Sequence, residues 1–394
     1  MALARIVPLL LLSQSVTAFA QNPPPPREVT LAAADGTALK ATYYAAAKPG
    51  PAVLLLHMCN TTRKSWEPLA PQLAAAGIHA LSIDYRGFGE SGGGRFDQMA
   101  PQDAQNVVND RWPGDIDTAY AFLLAQQGVD KTRIGAAGGS CGVMQAVQVA
   151  RRHSEVRSLV LLAGPVNGNG LKAIEEKPWL PIFAAAAADD QYDNDAPGLM
   201  QWILAMSGNP RNKFSGFKDG RHGTEIFVPH PELPKEIVAW FTDTLITRPT
   251  DPAQPVTPKS TPMRDFWRKA ETPDGIGAAI EMFHNNRSRD PHVKLFPEAQ
   301  LNLLGYQYLQ AGNNKAAIEL FKLNTEAYPA SANTYDSLGD AYVADGQKDM
   351  ALKASEKAIE MLAADKSGAD RKDAIRASAE QKIAKLKGGG ATSR

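Results

Sequence analysis

Residues 134–152 read IGAAGGSCGVMQAVQVARR: an apolar run, a cluster of small residues around Ser140, and then an amphipathic stretch. Ile134 to Ala137 reads as a strand buried on both faces, and Val143 to Arg152 as a helix. Between them, Gly138-Gly139-Ser140-Cys141-Gly142 fits a sharp strand-to-helix turn. In such a turn the residues two before and two after the centre must be small. Gly138 and Gly142 meet that need when the turn centres on Ser140. Centring on Cys141 would set Val143 at the second small position, where a β-branched side chain crowds the bend. Ser140 is therefore favoured over Cys141 as an outward-facing nucleophile.

Continuous apolar runs recur on either side of this segment, at Ala52 to Leu56, His79 to Ile83, Leu159 to Ala163 and Ile182 to Ala188. Helical patterns separate them at Trp66 to Ala76, Pro113 to Gln126 and Ala196 to Met206. Strand and helix in alternation imply an α/β class with a mostly parallel, doubly wound sheet. Ahead of these runs, REVTLAAADGTALKATYYAA at 27–46 alternates apolar and polar residues around Asp35-Gly36 and reads as a β-hairpin. Gly164 to Lys177 reads as a short Gly- and Asn-containing connection, with no lid.

The chain has 394 residues, more than one hydrophobic core usually serves. Its opening, MALARIVPLLLLSQSVTAFAQ, has an Arg before an apolar run and ends in a small-x-small pattern, so 1–20 reads as a signal peptide cleaved after Ala20. A Pro-rich segment at 21–27 precedes the α/β domain at 28–246. TRPTDPAQPVTPKSTP at 247–262 reads as a linker, 263–388 as helices, and 389–394 as a disordered tail. No later segment is apolar enough to span a membrane, and the expected location is periplasmic or secreted. Lys plus Arg equals Asp plus Glu at 42 each, so no net field favours nucleic acid.

In the last third, Leu304-Gly305, Tyr308, Gly312, Ala317 and Phe321 return 34 residues later as Leu338-Gly339, Tyr342, Gly346, Ala351 and Ser355. This pattern resembles tetratricopeptide repeats, with units near 298–331 and 332–365. Ala279, Phe283 and Pro291 repeat the spacing of Ala317, Phe321 and Pro329, and Asp370 to Lys387 reads as a charged capping helix. The resemblance implies a protein or peptide partner, or self-association.

Asp84-Tyr85-Arg86-Gly87-Phe88-Gly89-Glu90-Ser91, after a buried strand, is similar to the D-x-R-G-x-G-x-S segment of α/β hydrolases. With the turn at Ser140, the chain over about 28–246 resembles dienelactone-hydrolase-like members of that family, although those typically carry Cys as nucleophile. The family's triad order of nucleophile, acid, histidine leaves His222 and His230 as candidates for the base. His222 lies in Gly220-Arg221-His222-Gly223-Thr224, like the family's histidine loop, whereas His230 between two prolines reads as a surface residue. The family's strand-to-acid spacing selects Asp190, with Asp189 its nearest competitor and Asp193 and Asp195 read as loop charges. The resemblance also implies an oxyanion hole made by the backbone N–H groups of Cys141 and Cys59, with Met58 replacing the usual Gly. In an oxidising compartment, Cys59 and Cys141 would be candidates for a disulfide. Two buried free thiols packing as small hydrophobes are the other reading.

These features imply hydrolysis of small soluble esters or lactones through Ser140, Asp190 and His222. A peptidase is the enzymatic alternative. A helical binding scaffold with a weak or inactive hydrolase half is the non-enzymatic one. No cofactor or metal is expected: the histidines are dispersed, no H-E-x-x-H or C-x-x-C occurs, and Gly87 to Gly94 lacks the phosphate-loop Lys.

Overall fold

The computed structural model describes residues 22–193 and 195–388. The expected signal peptide 1–20, its cleavage after Ala20 and the expected tail 389–394 lie outside the described residues. Among the described residues, one sheet holds β1 (Arg27–Ala32), β2 (Ala38–Tyr44), β3 (Gly50–Leu56), β4 (His79–Ile83), β5 (Val129–Gly139), β6 (Val156–Leu162), β7 (Ile182–Ala187) and β8 (Lys213–Phe217). Its order is β1-β2-β4-β3-β5-β6-β7-β8. β1 and β2 form the antiparallel hairpin and β2 runs antiparallel to β4, while all pairings from β4 to β8 are parallel. Every residue of β3 and β4 is buried, as continuous apolar strands covered on both faces require. The chain steps outward from β3 to β4, then back across β3 to β5. The carboxyl ends of β3 and β5 therefore flank the point where the strand order reverses, which is where open α/β sheets place their sites.

Seven helices accompany the sheet: α1 (Ala70–Ala75), α2 (Pro101–Asn106), α3 (Trp112–Leu124), α4 (Cys141–Arg152), α5 (Gly168–Glu176), α6 (Ala196–Ser207) and α7 (Leu233–Thr242), counted among the described residues. Alternate residues of β3 feed two cores. Val53 and Leu55 pack with Leu69, Leu73, Ile237 and Phe241 on the α1/α7 face. Leu54 and Leu56 pack with Trp112, Val143 and Trp202 on the other. A Cβ on Gly135 would lie 2.6 Å from the Phe241 ring, so this strand glycine is what lets α7 approach.

Two stretches differ from their sequence reading. The expected helix Trp66 to Ala76 is a 3-10 turn at Arg63–Trp66 followed by α1. Pro68 and Pro71 explain the break: a proline disfavours helical backbone before it and fits best in a first turn, where Pro71 stands. The connection after β6 holds the nine-residue helix α5. Asn167 caps it by accepting from the Gly170 N–H at 2.8 Å, and Leu171 and Ile174 bury one face.

Beyond an irregular, mostly exposed stretch come α8 (Pro262–Ala270), α9 (Ile276–Arg289), α10 (Glu298–Gln310), α11 (Asn314–Ala327), α12 (Ala332–Ala344), α13 (Lys348–Met361) and α14 (Ala369–Gly388). α10 and α12 begin 34 residues apart, as do α11 and α13, matching the sequence period. Gly305 faces the Phe321 ring and Gly339 faces Ser355 Oγ, so each pair closes on a small residue. This helical region shares a core with the sheet. Trp267 meets Trp202 edge-on at 4.8 Å, and the buried Arg264 donates to the Ser207 carbonyl at 3.2 Å.

Candidate active site

The end of β5 shows why the small residues are there. Ser140 adopts φ 54°, ψ −123°, a conformation that costs a residue with a side chain on the order of 1–3 kcal/mol. A Cβ on Gly138 would overlap the Gly142 carbonyl, and one on Gly142 would overlap the carbonyl of Leu56. A Cβ on Gly164, just past β6, would overlap the carbonyl of Ser140 itself. The bend is fixed by the Ser140 N–H donating to Leu162 O and the Val143 N–H to Ser140 O, each at 2.9 Å. Ser140, not Cys141, occupies the strained position; Cys141 opens α4, where its N–H has no intrahelical acceptor.

β3 ends in the other half of the site. His57 is buried; its Nε2 accepts from the Tyr85 N–H at 3.1 Å, so Nδ1 carries the proton and donates to Met58 O at 2.6 Å. Burial pushes its pKa down to about 4, so the ring stays neutral and serves as a support. Cys59 is joined to Cys141 by a disulfide with Cα atoms 5.8 Å apart, within the usual range. The open question of the two thiols thus resolves in favour of pairing, and the Cys141 sulfur is no free nucleophile. Among the described residues, the Cys59 N–H donates to no protein acceptor.

The candidate acid, Asp190, follows β7. Asp190 Oδ2 accepts from His222 Nδ1 at 2.6 Å, with side-chain exposures of 0% and 7%. Asp190 Oδ1 accepts the N–H groups of Tyr192 and Asp193 at 2.8 and 3.0 Å, which fixes the carboxylate. With Nδ1 facing the carboxylate, Nε2 is the nitrogen left to face away from Asp190. The competing acids are occupied elsewhere. Asp189 accepts from the Arg221 N–H at 2.8 Å, Asp193 from the Asp195 N–H at 2.8 Å, and Asp195 caps α6 and pairs with Lys294 at 2.5 Å. Burial pushes the Asp193 carboxyl up.

His222 is held between Arg221 at φ 60° and Gly223 at φ 53°, at the start of a 3-10 turn that it caps together with Glu225. Met58 wedges between this loop and the elbow: its Sδ accepts from the Thr224 N–H at 3.3 Å, and a Cβ on Gly139 would lie 3.1 Å from its Cγ. A Cβ on Gly139 would also lie 3.5 Å from Thr224 Cγ2, and one on Gly223 3.6 Å from Leu162 O, the acceptor of the Ser140 N–H. The turn around Ser140 and the loop around His222 therefore lie side by side with Met58 between them, and among the described residues no hydrogen bond joins the Ser140 hydroxyl to His222. His230, the other candidate base, lies away from the site between Glu232 and Asp219.

The D-x-R-G-x-G-x-S segment braces the loop that follows β3. The buried Asp84 pairs with buried Arg63 and accepts the Arg63 N–H at 2.7 Å, and Arg63 also pairs with Glu28 and Glu90. Arg86 binds Asp115 through two nitrogens, both at 2.8 Å. Arg63 had no signal in the sequence, because its partners are 21, 27 and 35 residues away. Among the described residues, no group of three or more His, Cys, Asp or Glu is placed to hold a metal ion, and no helix is long and apolar enough to cross a membrane.

A model of the alpha/beta hydrolase fold matches residues 51–206, a segment that includes Ser140 and Asp190 and stops short of His222. The chain has the α/β hydrolase fold followed by a helical region. Two uncharacterised proteins of Mycobacterium tuberculosis, one from each of two strains, are 29% identical over 161 residues, 40% of this chain and 52% of theirs. The chain thus spans about half the length of the curated relatives it matches. An esterase of Pyrococcus furiosus superposes with a TM-score of 0.45 at 18% identity, covering 56% of this chain and 90% of that one. A dienelactone hydrolase of Anabaena variabilis gives 0.42 at 16%, covering 57% and 100%.

Proposed function

We propose that this chain is an exported serine hydrolase that cleaves esters or lactones of small soluble substrates through an acyl-enzyme on Ser140. The observation that carries the reading is the strained backbone of Ser140, φ 54°, ψ −123°, in a turn whose Gly139 packs towards Thr224 of the loop that carries His222, itself paired with Asp190. Strain of that kind persists where the surrounding structure enforces it, and here Gly138, Gly142 and Gly164 close on the backbone of the Ser140 turn. In this reading His222 Nε2 takes the Ser140 proton as the oxygen attacks the acyl carbon. The carbonyl oxygen, now negative, accepts from the N–H groups of Cys59 and Cys141, each such donor being worth about a hundredfold to a thousandfold. The imidazolium, balanced by Asp190, gives its proton to the departing alcohol oxygen; water then releases the acid by the same steps.

Export is supported by the leader pattern at the start of the sequence and by the Cys59–Cys141 pairing. The helical region, with its 34-residue period, serves on this reading as a tetratricopeptide-like surface for a protein or peptide, or for self-association. The test is turnover of p-nitrophenyl acetate and butyrate by the wild type and Ser140→Ala. The variant is expected to lose on the order of a millionfold in kcat. A folded Ser140→Ala protein with wild-type turnover would refute the assignment, and a folded wild type inert to esters, lactones and peptides would favour the scaffold.

A further inference from the structure

Tyr192 is the one aromatic among the large, exposed apolar side chains of the described residues, at 60% exposure. A single exposed apolar residue normally needs no explanation. This one is fixed from three directions, by Asp190, by His222 and by Asn60 beside Cys59. Its N–H is held by Asp190 Oδ1 at 2.8 Å. Its ring meets the His222 ring at a centroid distance of 4.8 Å and an interplanar angle of 62°. Its hydroxyl accepts from Asn60 Nδ2 at 3.3 Å, next to Cys59. The ring thus spans from the histidine to the oxyanion loop and leaves most of its surface to solvent.

Resting on the reading of Ser140, Asp190 and His222 given above, we infer that Tyr192 is the leaving-group contact and selects esters of aryl or other planar alcohols. The direction follows from the chemistry. The carbonyl oxygen must point to the N–H groups of Cys59 and Cys141, whereas the alcohol oxygen must face the imidazole that protonates it. A side chain packed on that imidazole therefore borders the alcohol half of the substrate and not the acyl half. Exposed aromatic surface recognises a planar ring by offset or edge-on stacking, with a gain beyond the buried area alone.

The experiment compares kcat/KM for phenyl acetate, ethyl acetate and phenyl butyrate in wild type, Tyr192→Ala and Tyr192→Phe, with Ser140→Ala as control. Intrinsic ester reactivity cancels in each variant-to-wild-type quotient. Tyr192→Ala is expected to lower the phenyl-to-ethyl ratio about tenfold, the scale of one aromatic contact. Tyr192→Phe is expected to keep the ratio, and the aryl penalty is expected to be the same for acetate and butyrate. An equal loss on phenyl and ethyl esters would mean that Tyr192 only positions His222. No loss, or a loss that follows the acyl chain, would also overturn the inference. If Ser140→Ala retains aryl ester turnover, the reading beneath it fails as well, so the two failures are told apart.

Discussion

The sheet half and the helical half spend backbone strain differently. Among the described residues, the non-glycine residues with positive φ are Ser140, Ala163 and Arg221, and all three border the candidate site. Ala163 precedes the Gly164 that packs on Ser140, and Arg221 precedes His222. In the helical region the described positive-φ positions are Gly312 and Gly346, at inter-helix turns where glycine adopts that conformation freely. The halves also differ in range. Asp190 and His222 meet across 32 residues and the disulfide links residues 82 apart, whereas α10 to α13 pack mainly on chain neighbours. One half is shaped to hold a few groups in place; the other is a relaxed, repeating surface.

Three perturbations test that contrast. Reducing the disulfide should cost the most stability, about 4 kcal/mol for a loop of this length, because an unfolded chain without it gains that loop's freedom. Urea unfolding with and without a reductant measures it, and identical curves would mean that the thiols are not paired. Gly142→Ala should cost about 3 kcal/mol and abolish ester turnover, since the added methyl meets the carbonyls of Leu56 and His57, backbone that cannot step aside. Gly339→Ala should change stability by under about 1 kcal/mol, because its nearest neighbour is Ser355 Oγ at 3.0 Å and alanine favours a helix. Equal costs at the two glycines, read from thermal melts, would erase the distinction between the halves.

The same contrast explains what was legible in the residues. Small residues at fixed spacing around Ser140 announce the elbow, because Gly138 and Gly142 meet within the turn itself, although Gly142 also meets the distant carbonyl of Leu56. Asp190 and His222 come forward as candidates only through the resemblance to the α/β-hydrolase family, whose triad order and strand-to-acid spacing select them. Features that depend on distant partners stayed hidden: the Arg63–Asp84 network, Met58 wedged between two loops, and Tyr192 against His222. The proline break before α1 and the Asn167 cap of α5 were local signals, but short helices give too few turns for apolar periodicity to speak. Pairing of Cys59 with Cys141 lay between these cases, since their proximity required both loops to be in place first.

The most direct test of the central claim is peptide mapping by mass spectrometry after treatment with a fluorophosphonate, which phosphonylates an activated serine. The account predicts one stoichiometric adduct on Ser140, much slower to form in His222→Ala. Stoichiometric labelling elsewhere, or none on folded protein, would contradict it.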